Sequence, residues 1–187
     1  MVQDKKTSRE KNFSTAKSIL AVLWHLKAAS RESLFSHRYI KSLCQAKSKA
    51  TFRSCLSRLC KEKLLKKEYN DIFVLTDNGQ KKALFAFIDT ELAFHSDEEA
   101  RGKKWDGGWR IVFFDVPESK RKYRDYLRRV IRTIGFREFQ RSIWIYPYPV
   151  PSFLKELLFE ENIRSHVRFI TTNLVDDDSD LRKVFRL

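Results

Sequence analysis

"KSKATFRSCLSRLCKEKLLKKEYNDIFVLTDNG", residues 47–79, changes from helical to strand-like patterning partway along. Phe52, Cys55, Leu56, Leu59 and Cys60 recur at the i, i+3, i+4, i+7, i+8 spacing of a buried helical face. With Leu56 inward and roughly 100° added per residue, Lys47, Thr51, Ser54, Arg58 and Lys61 point outward. Residues 47–67 hold eight Lys/Arg and one acid, whereas a merely solvated face alternates its charges to make i,i+4 pairs. Small hydroxyls among basic side chains suit a helix laid in a DNA major groove: Thr and Ser reach base edges, Arg and Lys take guanine or phosphate. The candidate contact residues are Lys47, Lys49, Thr51, Arg53, Ser54, Arg58 and Lys61. "LLKKEYNDIFVL" then predicts a strand, a turn at Asn70-Asp71, and a second strand over Ile72–Leu75.

Upstream, Phe13-Ser14 has the form of a staple and cap for a helix of roughly 15–28, whose Ala16, Ile19, Leu20, Leu23 and Leu26 share one side. A second helix is expected near "HRYIKSLCQA", residues 37–46. Residues 1–13 form a polar, basic tail. Downstream, a helix from Thr76 to about Phe94 carries Leu84, Phe85, Phe87, Ile88 and Leu92. That is too apolar for one stripe, so it needs a second neighbour, either a dimer partner or another domain. Residues 95–104 form a polar linker. Three helices followed by a hairpin is the order of a winged helix-turn-helix.

The second half, residues 105–187, opens on "WDGGWRIVFFDVPE". Ile111–Phe114 reads as a central strand ending at Asp115, and Pro117 suits entry to a helix. In that helix Tyr123, Tyr126, Leu127, Val130, Ile131 and Ile134 keep the buried spacing, while Arg121, Arg124, Arg128 and Arg132 lie away from it. Gly135 ends it. "REFQRSIWIYPY" supplies one bent strand or two short ones, "PSFLKELLFEEN" a helix, "HVRFITT" a last strand, and a short acidic-to-basic tail closes the chain. Strand, helix, strand, strand, helix, strand is the split βαβ order of a ferredoxin-like domain. The expected class is therefore α+β, with an N-terminal winged helix-turn-helix over 14–94 and a ferredoxin-like domain over 105–187.

The formal charge is +14. Residues 1–104 carry 22 Lys/Arg against 12 Asp/Glu, and residues 105–187 carry 16 against 12. An excess of this size favours a polyanionic partner, since phosphate contacts release counterions. Cys44, Cys55 and Cys60 lack paired spacing and read as small core hydrophobes in a reducing cytoplasm. His25, His37, His95 and His166 show no ligand spacing. No apolar run approaches the ~20 residues of a membrane helix, so no membrane partner is expected.

"FRSCLSRLCKEKLLKK…FVLTDNG" resembles the recognition helix, wing and closing "LT..G" of many bacterial winged-helix repressors. "VFFDVPE…KRKYRDYLRRVIRTIGFREFQRSIWIYP" resembles the small CRISPR-associated endonuclease of spacer adaptation, the second Cas protein. Gln140, Ser142, Ile143 and Trp144 match its "Q-x-S-[VI]-[FW]" strand. Both halves, in this order, resemble the PaaX-like repressors. The match to their "WDG.W" opening and "GF…W-I-x-P" stretch falls on Trp105, Asp106, Gly107, Trp109, Gly135, Phe136, Trp144, Ile145 and Pro147. The resemblance covers roughly residues 14–172. It implies a cytoplasmic homodimer, paired through its sheets, that binds double-stranded DNA as a regulator and needs no cofactor to do so. The nuclease resemblance implies instead that Asp115 of two subunits shares one Mg²⁺ ion, a role for which one carboxylate per chain is sparse. A structural reading of Asp115 is that it accepts hydrogen bonds from the amides opening the next helix. An RNA-binding sheet is the weakest reading, because "IGFREFQRS" lacks the K/R-G-F-G-F-V pattern. Operator, regulated genes and effector are not legible in the chain.

Overall fold

The computed structural model describes residues 14–30, 34–36, 48–94 and 104–187; the helix expected over 37–46 lies outside them. The chain mixes helices with short antiparallel strands, as an α+β protein does. It divides into two compact units, Met1–Ala93 and Phe94–Leu187. No helix among the described residues is long and apolar enough to cross a membrane.

In the first unit, the Ser14 hydroxyl accepts from the Lys17 amide at 3.3 Å and opens α1, Thr15–Ser30. After β1, Leu34–Ser36, the next described helix is α2, Lys49–Lys61, capped by Ser48, whose hydroxyl accepts from the Thr51 amide at 3.1 Å. Its end is closed by the Leu64 amide donating to the Leu59 carbonyl at 2.9 Å, with Lys63 in the left-handed region at φ 54°. The chain then continues into β2, Leu65–Lys67, and β3, Ile72–Leu75, which pair antiparallel with Leu65 opposite Leu75. Asn70 turns the hairpin at φ 56°, ψ 39°, a conformation asparagine tolerates better than most side chains. β1 pairs on the far side of β3, giving the order β1-β3-β2. Ile19, Leu23, Phe52, Leu56, Leu59 and Phe73 lie in one core cluster. Full burial of each such side chain stabilises by about 1.5–3 kcal/mol.

The "LT..G" stretch has a mechanical role. The Thr76 hydroxyl donates to the Lys63 carbonyl at 2.7 Å and accepts from the Gly79 amide at 3.0 Å. It thus caps α3, Asp77–Phe94, and ties that helix to the exit of α2. Ala83 and Ala86 join the core cluster, and Leu84, Ile88 and Leu92 are also buried within the chain. Cys55 and Cys60 pack partly buried against the core, and burial pushes the Cys60 thiol above its ordinary pKa; Cys44 lies outside the described residues.

In the second unit, β4, Trp109–Phe114, sits inside a four-stranded sheet of order β5-β6-β4-β7, in which every neighbouring pair is antiparallel. A single 3₁₀ turn, Glu118–Lys120, leads into α4, Arg121–Ile134, which buries Leu127, Val130, Ile131 and Ile134. Gly135, at φ 112°, stops the helix while the Phe136 amide donates to the Ile131 carbonyl at 3.0 Å. The "REFQRSIWIY" stretch resolves into two strands, β5, Arg137–Gln140, and β6, Ile143–Tyr146, with a register shift between Glu138 and Gln140. Then follow α5, Ser152–Leu158, the short α6, Glu161–Arg164, and β7, Val167–Thr172.

The expected closing tail is a helix instead, α7, Ser179–Phe185. Leu181 buries in a cluster with Trp109 and Ile145, and Trp105, Val175 and Phe185 pack against it. The local signal is the acid Asp180 in the first turn and Arg182 and Lys183 in the last, the arrangement that a helix dipole favours.

A side-chain carbon placed at Gly79 would stand 1.9 Å from the Leu64 carbonyl oxygen. Gly79→Ala should therefore force the start of α3 away from β2 and destabilise the first unit by about 1–3 kcal/mol or more. Denaturant unfolding followed by circular dichroism checks this; an unchanged midpoint would disprove the close approach.

Candidate nucleic-acid interface

Burial of Phe52, Leu56 and Leu59 orients α2. Lys49, Thr51, Arg53, Ser54, Arg58 and Lys61 are all exposed. Thr51, Ser54, Arg58 and Lys61 lie opposite the buried stripe, while Arg53 and Lys49 flank it toward the helix start; Lys47 lies outside the described residues. Thr51 is the least free of the six, because its hydroxyl lies 2.9 Å from that of Ser48. Arg58 has an acid nearby, Glu62, at 3.9 Å, and Glu62 also stands 4.0 Å from Lys82. All three are well exposed, so these pairs are weak and compete with a phosphate only slightly. At the hairpin tip the sequence points to Asn70-Asp71, and beside them Tyr69 is 85% exposed. Its aromatic ring was not among the candidates, since an isolated tyrosine carries no periodic signal.

Asp115 stands just past the end of β4, exposed, in an open cleft of about 600 Å³ whose lining includes Ser142, Ile143, His166 and Arg168. Its amide donates to the His166 carbonyl at 2.9 Å. Its carboxylate makes no hydrogen bond among the described residues, so the expected cap on the following helix is corrected. The reason is Pro117, which holds φ −63° and ψ 158° and keeps the chain extended, so that α4 starts only at Arg121. As a Mg²⁺ site the donor set is incomplete. Among the described residues Asp115 is the one acid lining the cleft, Arg168 shares it, and His166 stands 3.4 Å from the Lys120 ammonium. No cluster of three or more potential metal ligands occurs among the described residues. Mg²⁺ takes several hard oxygens in near-octahedral geometry, and among the described residues Asp115 is the one carboxylate at this cleft.

The "WDGGW" opening is a clamp. Arg110 lies on β4, only 8% exposed. Its guanidinium makes a two-point pair with the Asp106 carboxylate and donates to the carbonyls of Gly108, at 2.8 Å, and Pro147, at 2.7 Å. Gly107 turns at φ 79°, and the Gly108 amide donates to Asp106 at 3.0 Å. The motif thus joins the start of β4 to the chain just after β6. Sequence reasoning missed Arg110; a lone cation in an apolar strand, four residues after an acid, was the available signal. Beside it, the Trp109 indole donates to Asp178 at 3.1 Å, and Arg182 lies 4.6 Å over the ring of Trp105. The hydrogen bond from Arg182, assisted by that from Trp109, holds the Asp178 carboxyl below the ordinary carboxylate range.

Hydrogen bonds from Arg110, with help from the Gly108 amide, hold the Asp106 carboxyl at about 2, against 3.8 ordinarily. A depressed folded-state value means that this stabilisation is complete above the unfolded pKa near 3.8 and is lost as pH falls toward about 2. Asp106→Asn should accordingly weaken the second unit at neutral pH and flatten its stability between pH 4 and 2. Acid titration of unfolding for both proteins checks this; parallel curves would refute the clamp.

Comparison with known proteins bears on the second unit. Residues 102–184 match the family described as the PaaX protein central Cas2-like domain. No curated protein matches the chain. Among solved structures, the uncharacterized protein Rv0674 from Mycobacterium tuberculosis is similar at 17% identity and a TM-score of 0.37. The similarity covers 91% of this chain and 66% of that one, so this chain spans just under two thirds of its length. The domain built around the Arg110 clamp and the four-stranded sheet is therefore similar to the PaaX central Cas2-like domain over residues 102–184.

Proposed function

We propose that the protein is a PaaX-type transcriptional regulator that binds double-stranded DNA sequence-specifically, as a cytoplasmic homodimer and most simply as a repressor. The observation that carries this reading is the exposed basic face of α2 on a chain whose second unit is of the PaaX type. The order of α2, β2, turn and β3, with β1 added to the same sheet, supports a winged helix-turn-helix in the first unit. In the second unit, β4 and β5 flank β6, while β6 and β7 flank β4. Each strand–helix–strand crossover therefore has another strand inserted in it, which supports a ferredoxin-like domain.

On this reading α2 enters the major groove. Lys49, Arg53, Arg58 and Lys61 supply charge, and Ser54 and Thr51 lie among them to contact base edges or phosphate oxygens; Lys47 extends the same face. A dimer brings two such helices to half-sites about one helical turn apart, or a multiple of it. DNA binding then needs no cofactor. The competing reading is a Mg²⁺-dependent nuclease or CRISPR spacer-adaptation subunit using Asp115, favoured by the Cas2-like character of the matched domain and the exposure of that carboxylate in its cleft.

Selection from a random duplex pool should yield a defined operator. Arg58→Ala should weaken binding to it by about 1–3 kcal/mol if the side chain reads a base. Undiminished affinity after changing both Arg53 and Arg58 to alanine would exclude α2 as the reading helix. Incubation with labelled DNA and RNA plus Mg²⁺ or Mn²⁺, beside Asp115→Asn, should leave both substrates intact; cleavage abolished by the substitution would establish the nuclease instead.

A further inference from the structure

The outward face of α4 is cationic and has no part in the function proposed above. Burial of Leu127, Val130, Ile131 and Ile134 turns Arg121, Lys122, Arg128, Arg129 and Arg132 toward the other side, with Asp125 as the acid among them. Near the N-terminus these charges are compensated: Arg121 lies 3.4 Å from Asp125, and Arg124 lies 2.8 Å from Glu118. Toward the C-terminus the pattern changes. Arg128 lies 5.7 Å over the ring of Phe114 and donates to the Arg141 carbonyl at 3.2 Å, which brings the β5–β6 turn beside the helix. Arg132 lies 5.5 Å over the ring of Trp144. Among the described residues, Arg128, Arg132 and Arg141 form no ion pair.

Cations four apart on a helix repel by a few tenths of a kcal/mol, so the fold alone gives no reason to gather them. The favourable pull of the helix C-terminus acts within its last turn, which accounts for Arg132 but not for Arg128 or Arg141. A guanidinium resting over an aromatic ring keeps its N–H edges available, and its restricted position reduces the ordering cost of binding an oxyanion. Such a set, unpaired among the described residues although Glu138 stands opposite Trp144 on the neighbouring strand, matches the spaced phosphates of a nucleic-acid backbone better than a single small anion.

We infer that the second unit carries its own DNA-phosphate surface, formed by Arg128, Arg132 and Arg141 where α4 meets the β5–β6 turn. It binds duplex DNA without reading sequence and adds to whatever affinity α2 supplies. The inference does not depend on α2 being the reading helix.

The test uses the full chain and a duplex of about 30 base pairs of random sequence, a length within ordinary protein–DNA footprints. Arg132→Gln with Arg141→Gln should reduce the slope of log affinity against log salt by about 1.8, at roughly 0.9 per lost phosphate contact. Arg128 is spared because it also donates to the Arg141 carbonyl and so holds the β5–β6 turn. Lys183→Gln with Arg186→Gln, which removes the same charge from the end of the chain, should leave the slope close to that of the unchanged protein. Lysine at positions 132 and 141 should restore the slope, separating charge from any structural effect of losing the ring contact. An unchanged slope in the glutamine pair, or an equal loss in the Lys183/Arg186 pair, overturns the assignment. So does an effect confined to single-stranded RNA. Discrimination between operator and random DNA should survive the glutamine pair and fail in the Arg53/Arg58 alanine pair, so the two DNA-contact proposals can fail separately.

Discussion

Phe52, Leu56 and Leu59 leave water only by turning one side of α2 inward, and the first unit is organised around that constraint. The helix screw then carries Arg58 and Lys61 to the opposite side, whatever their own preference. The same burial sets the exit of α2. Leu64 and Leu65 must follow the core, so the chain closes the helix through Lys63 and enters β2 at once. Thr76 bonds back to that exit, and Gly79 admits the Leu64 carbonyl where any side chain would collide with it. The exposed basic face of α2 is thus held by contacts on its reverse side.

The second unit depends on a different kind of contact. Arg110 puts a guanidinium inside a sheet, which is costly unless its donors are satisfied. Asp106 and the carbonyls of Gly108 and Pro147 meet that requirement together. Removing one partner would leave buried charge uncompensated, which gives the "WDGGW" opening a physical reason to exist as a set. The indole of Trp109 points to the far end of the chain, where Asp178 receives it and α7 covers the cluster.

Charge is distributed over both units, but it differs in state. On α2, Arg58 has a weakly held acid nearby; on α4, the arginines near the N-terminus are paired while those near the β5–β6 turn rest on aromatic rings. Arginines of the second kind retain both their charge and their donor edges. Asp115 is unlike either: an exposed acid beside Arg168 in an open cleft, with no second carboxylate among the described residues that line it.

Features set by neighbours along the chain were legible in the residues themselves. The apolar spacing of α2 and α4, the Asn70 turn, the Gly135 stop and the strands on either side of them follow from periodicity and from φ values that few side chains accept. Features set by distant partners were not. Arg110 meets a carbonyl 37 residues away and Trp109 a carboxylate 69 residues away, and no spacing rule links such positions. Asp115 shows the same limit from the other side: its place after an apolar run suggested a helix cap, yet Pro117 carries the chain past that geometry. Local periodicity decides which face of an element is apolar, because it acts within a turn or two. Which polar groups meet across the sheet is decided only when folding closes the long loops between them.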